Sequence, residues 1–240
     1  VFYVDNRPAF ASFVSKLEAM TKDARGGRAI DSYGQLLLAL EQRAEFFKAN
    51  GCRMSDHGPD KISFPAELKE MSRSQVLVKM TQLLERARNA TGGAGLSDEE
   101  VRFFKAVIQQ DLCRLNAKMG WTQQLHVEPF RRINTAALFA SLRGEPGEGA
   151  QDQLARTVVY TLNPASWRQV YTTCLRFPKA GSDAHCMLGF PWWFNHQEAG
   201  LREYLSIVQN QGNISTVPEM VCDGRSLAAG VRFAWAREII

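Results

Sequence analysis

Residues 96–127, LSDEEVRFFKAVIQQDLCRLNAKMGWTQQLHV, hold the start, the apolar face and the stop of one helix, and then the strand that follows it. Ser97 and Glu100 have the spacing of a capping box, and Leu96 and Val101 that of a hydrophobic staple. Val101, Phe104, Ile108, Leu112, Leu115 and Met119 recur at helical intervals and make one apolar face. Gly120 ends the helix, because the left-handed backbone of a C-terminal cap suits a residue with no Cβ. Trp121 to Val127 then reads as a strand that delivers His126. A helix feeding directly into a strand is the repeating unit of an α/β fold.

The same unit recurs on both sides. Upstream, Tyr33 to Asn50 carries the stripe Leu36, Leu37, Leu40, Ala44 and Phe47, with Asp31 or Ser32 as cap and Gly51 as stop. The strand CRMS follows and runs into Asp56-His57. The opening VFYV reads as another strand, broken at Asp5, Asn6, Arg7 and Pro8 and followed by a helix. Pro65 to Ala90 is charged and helical in composition, and Thr91 to Gly95 is a flexible break. Downstream come TVVYTL into Asn163-Pro164, HCMLGF into Pro191-Trp192-Trp193-Phe194-Asn195, and TVPEMV into Asp223, each followed by a helical stretch.

Six strands alternating with helices predict a parallel sheet joined by right-handed crossovers. That number suits an open doubly wound sheet or part of an eight-stranded barrel. Neither G-x-G-x-x-G nor G-x-x-x-x-G-K occurs, which argues against a nucleotide-binding open sheet. Five of the apolar runs end in Asp56, His126, Asn163, the Trp192-Trp193 pair and Asp223. In a parallel barrel such ends converge on the face where catalytic groups sit.

Composition narrows the function classes. The chain has 240 residues, 45% hydrophobic and 22% charged, enough for one large or two small cores. Its net charge of +4 is spread rather than blocked, so no nucleic-acid groove is expected, while an anionic small substrate is compatible. No apolar run approaches the ~20 residues of a membrane span, and VFYVDNRPAF lacks the pattern of a signal peptide. A cytoplasmic protein with no membrane partner is expected. Cys52, Cys113, Cys174, Cys186 and Cys222 show neither zinc-site nor disulfide spacing and read mostly as reduced core thiols.

The segments GCRMSDH (51–57), GWTQQLH (120–126) with Arg131 five residues later, VVYTLNP (158–164), WWFN (192–195) and CDGRS (222–226) occur in the order and approximate spacing of uronate isomerases. The chain resembles that family over nearly its whole length. The resemblance implies the amidohydrolase superfamily and a (β/α)8 TIM-type barrel. It also implies interconversion of glucuronate with fructuronate and of galacturonate with tagaturonate, by proton transfer between C1 and C2. The six strands would be the third to eighth of the barrel, within one domain over 1–240, with VFYV as the third. The family's first strand carries a His-x-His metal pair, and none exists among His57, His126, His185 and His196. A fragment of a longer protein is the favoured reading, because an open barrel exposes strand edges and apolar interior. These 240 residues alone are then expected to be inactive. A noncatalytic truncated relative is the alternative, and a metal-dependent hydrolase of the same superfamily is a weaker one.

Roles follow from the resemblance position by position. Asp223 sits beside a divalent metal, zinc by expectation, and is suited to shuttle the proton. For an aspartate ahead of a helix, the bland reading is an N-cap. His126 faces the substrate, where it could donate to a carbonyl or hydroxyl or approach the metal, with a core or surface histidine as the bland reading; Asp56 orients the site or transfers protons, with His57 standing behind them. Arg7, Arg131 and Arg225 hold the substrate carboxylate and hydroxyls; for any one of them, surface solvation is the bland reading. Trp193, with Trp192, walls the sugar pocket or merely packs. The family pattern is broken at Asn6, Ala9, Pro191, His196 and Gly224, and the stretch 134–157 is shorter than in the family. Which hexuronate is preferred and whether copies assemble into a homo-oligomer are not legible.

Overall fold

The computed structural model describes residues 2–24, 26–58, 62–89, 95–127, 155–161, 166–175, 186–189 and 202. Its elements run α1 (Arg7–Thr21), α2 (Tyr33–Ala49), β1 (Met54–His57), α3 (Glu67–Glu70), α4 (Arg73–Arg88), α5 (Asp98–Met119), β2 (Thr122–Val127), β3 (Thr157–Thr161), α6 (Trp167–Leu175) and β4 (Cys186–Gly189). Two compact units divide them. One takes in Val1–Ser55, Pro59–Thr122 and Arg131–Ala155; the other takes in Asp56–Gly58, Gln123–Phe130 and Arg156–Ile240.

The first unit is helical. Phe10, Val14, Leu36, Met80, Phe104 and Ile108 belong to one buried core drawn from α1, α2, α4 and α5. Phe10 meets Phe104 edge to face at 5.7 Å, and Tyr33 meets it at 6.2 Å. Each long helix has a local reason to begin where it does. Ser32 accepts from the Gln35 amide at the start of α2. Ser97 and Glu100 exchange both bonds of the expected capping box, at 3.2 and 2.8 Å. Gly120 takes φ of 70° and Gly51 takes 92°, the left-handed stops expected of them.

Asp111 is the buried polar centre of this unit. The Tyr33 hydroxyl donates to it at 2.8 Å, Arg73 bonds both its oxygens at 3.0 and 3.1 Å, and Arg114 reaches Oδ1 at 2.9 Å. Burial first, and then the Asp111 charge, hold the Tyr33 phenol well above its ordinary pKa, so it stays a donor. A buried carboxylate met by four donor groups from three side chains avoids the desolvation penalty of an unpaired charge.

Two expectations are corrected here, and the helical reading of Pro65 to Ala90 is sharpened. Phe2 to Val4 is not a strand: the Asn6 amide donates to the Tyr3 carbonyl at 2.9 Å and closes a turn. The Asn6 side chain then accepts from the Ala9 amide at 3.2 Å and caps α1, so Arg7 opens a helix instead of ending a strand. The Pro65 to Ala90 segment is two helices, because Ser72 and Gln75 form a second capping box that starts α4 afresh. The strand read as CRMS lies two residues later, so Asp56 and His57 are inside β1.

The described strands lie in the order β1-β2-β3-β4. β2 with β3, and β3 with β4, pair in parallel, as the strand and helix alternation predicts. α6 packs on β3 and β4. All five residues of β3 are buried, the pattern of a parallel strand covered on both faces. β1 alternates exposed and half-buried positions at one end of this order. Cys113 and Cys186 are buried and Cys52 is half-buried, and none of these three is in a disulfide. Among the described residues no helix is long and apolar enough to cross a membrane.

Candidate active site

β2 and β3 run side by side, and the register pairs His126 with Tyr160, each one residue before the end of its strand. Paired residues of neighbouring strands point to the same face of a sheet. The two rings therefore stack, with centroids 4.9 Å apart and planes inclined by 15°. The edge of the imidazole is held as well. His126 Nε2 lies 3.1 Å from Asp56 Oδ1, and because a carboxylate only accepts, this nitrogen carries the proton. In the neutral ring Nδ1 is then the basic position.

The pair is open to solvent: the Asp56 side chain is 58% exposed and that of His126 21%. A side-chain contact so hydrated contributes on the order of 0–1 kcal/mol to stability. It adds little to the fold and leaves both groups accessible to a ligand. His57, half-buried beside them, has its pKa lowered by burial, partly offset by the Asp56 charge. A lowered histidine pKa leaves the ring neutral at pH 7.

The structure thus brings Asp56 and His126 together, two of the candidates read from sequence. Arg7 lies in the helical unit at the first turn of α1. Asp223, Arg131, Arg225 and Trp193, with Asn163 and Trp192, fall outside the described residues. No three histidine, cysteine, aspartate or glutamate side chains converge to hold a metal among the described residues. Asp56 and His126 offer one oxygen and one nitrogen that bond each other, short of the three protein ligands usual for catalytic zinc. By themselves they do not fit a metal centre.

Tyr160 and Gly189 were not legible as site residues. The register that aligns QQLHV with TVVYT could have pointed to Tyr160, since each motif places its ring next to last in the strand.

Comparison with known proteins decides the family. Residues 2–150 and 147–240 match the family model described as glucuronate isomerase. The chain belongs to the glucuronate isomerase family. It is 32% identical to a uronate isomerase of Geobacillus thermodenitrificans over 98% of its own length and 51% of that protein's. With a uronate isomerase of Marinomonas it shares 29% identity over 88% of its length and 47% of the relative's. Among solved structures, the uronate isomerase of Thermotoga maritima superposes with a TM-score of 0.59 at 21% identity, over 84% of this chain and 44% of that one. The glucuronate isomerase of Caulobacter crescentus gives 0.58 at 17% identity, over 85% and 42%. The α/β, TIM-barrel-like fold expected from the motifs is therefore the fold of this chain. The chain spans about half the length of the curated relatives it matches.

Proposed function

We propose that this chain carries part of the proton-transfer machinery of a cytoplasmic aldose-ketose isomerase acting on hexuronates. The observation that carries the reading is the solvent-accessible Asp56–His126 bond near the strand ends, within residues 2–150 that match the family model. Isomerisation removes the hydrogen on C2 as a proton and returns a proton to C1, while the oxygen on C1 gains a proton and the oxygen on C2 loses one. Two groups suit these two transfers.

Asp56 fixes the imidazole through Nε2, and His126 exchanges protons with the substrate oxygens. Asp223 moves the carbon-bound proton between C2 and C1. Arg131 and Arg225 hold the carboxylate and hydroxyls, Trp193 walls the sugar, and for Arg7 a part in anion binding rests on the resemblance alone. In the full-length protein a divalent metal, zinc, would polarise the carbonyl. Asp223 would be one of its ligands, with a His-x-His pair that is not among these 240 residues as the others. The substrate is a small sugar acid, with no nucleic acid or membrane as partner.

The test is conversion of glucuronate and of galacturonate to their ketoses by the full-length natural protein supplied with zinc. Product from either sugar supports the isomerase. Absence of product from both would leave the noncatalytic reading in its place.

A further inference from the structure

His126 is held by more than Asp56. The row that pairs His126 with Tyr160 continues to Gly189 on β4, so three neighbouring strands contribute one residue each in register. The middle ring is 1% exposed, and it occupies the space that a side chain on β4 would take. A Cβ on Gly189 would lie 2.3 Å from Tyr160 Cε1 and 2.5 Å from Cδ1, far inside contact distance. These are ring atoms of a fully buried tyrosine, not the loose end of a flexible chain.

We propose that Tyr160 and Gly189 are positioning residues for His126, the tyrosine ring serving as a platform that sets the plane of the imidazole and the glycine keeping that platform in place. The histidine torsion that turns the ring has no strong preference of its own. A hydrogen bond at Nε2 fixes the direction of one edge and still allows the ring to pivot about it. A flat stack at 4.9 Å and 15° removes the pivot. The two contacts together aim Nδ1 in one direction, which matters where a small misplacement of a reacting group can cost ~10²-fold in rate. The significance for catalysis rests on the proposed role of His126; the platform itself does not.

The experiment separates the two. Proton NMR of the full-length protein follows the His126 ring protons, assigned by their loss in His126→Gln. Ring current from a stacked tyrosine shifts them upfield, with cross-peaks to the Tyr160 ring. Tyr160→Phe is expected to keep the shift, whereas Tyr160→Leu and Gly189→Ala lose it. Missing His126–Tyr160 cross-peaks in the unaltered protein would overturn the platform without recourse to any variant. So would unchanged His126 ring-proton resonances in folded Gly189→Ala. In the isomerase assay Gly189→Ala is expected to lower kcat about 10²-fold with KM little changed. Unchanged kcat despite a lost stack would overturn the positioning role. A normal stack in a protein without turnover would uphold the platform and sink only the isomerase reading.

Discussion

At the scale of single residues, the same interaction type serves two ends according to burial. Asp111 is 6% exposed and ringed by Tyr33, Arg73 and Arg114. We predict that Asp111→Ala costs about 1–3 kcal/mol in urea unfolding, the penalty of leaving the buried Tyr33 hydroxyl without its acceptor. Tyr33→Phe should cost about 1 kcal/mol, since both arginines still hold the carboxylate. An Asp111→Ala protein as stable as the unaltered one would show that the network is incidental. Asp56 is the opposite case. Asp56→Asn should change stability by less than about 1 kcal/mol, because the pair is solvated. In the full-length protein it should lower kcat, which separates a chemical role from a structural one.

Among elements, what could be read in advance was what is decided locally. The Ser97–Glu100 box and the Gly120 stop lie within a few residues of the backbone they control, and both are present; the single apolar face is corrected, because every residue from Phe103 to Cys113 is buried, Lys105, Gln109, Gln110 and Asp111 included. Ser97→Ala should cost about 1 kcal/mol. Gly120→Ala should cost about 1–2 kcal/mol, because its φ of 70° crowds any Cβ. Thermal unfolding of both variants checks the sizes, and two silent substitutions would mean that tertiary packing alone fixes the helix ends. VFYV illustrates the converse. Its β-branched and aromatic residues favour a strand only where a neighbour pairs with them, and strand propensity is largely a report on such neighbours. Asn6 instead closes a turn and caps α1. The site divides likewise: Asp56 and His126 stood out as polar residues near strand ends, while Tyr160 and Gly189 depend on register, a non-local property.

For the molecule as a whole, the half-buried His57 links stability to pH. Its folded pKa lies below the ordinary value of 6.5, with burial as the main cause. The unfolded chain therefore binds more protons in that window, and stability falls as pH drops from about 7 through the folded pKa. We predict a declining unfolding midpoint over that range and a shallower decline in His57→Gln. Equal slopes would place the effect elsewhere. The family and its α/β fold rest on the match over residues 2–150 and 147–240 and on the two superpositions. The proposed chemistry rests on the Asp56–His126 contact. The most direct test is kcat for glucuronate isomerisation by the full-length, zinc-supplied protein against its His126→Asn variant. A loss of about 10²–10⁴-fold is predicted; equal kcat in the two proteins would contradict the role given to His126.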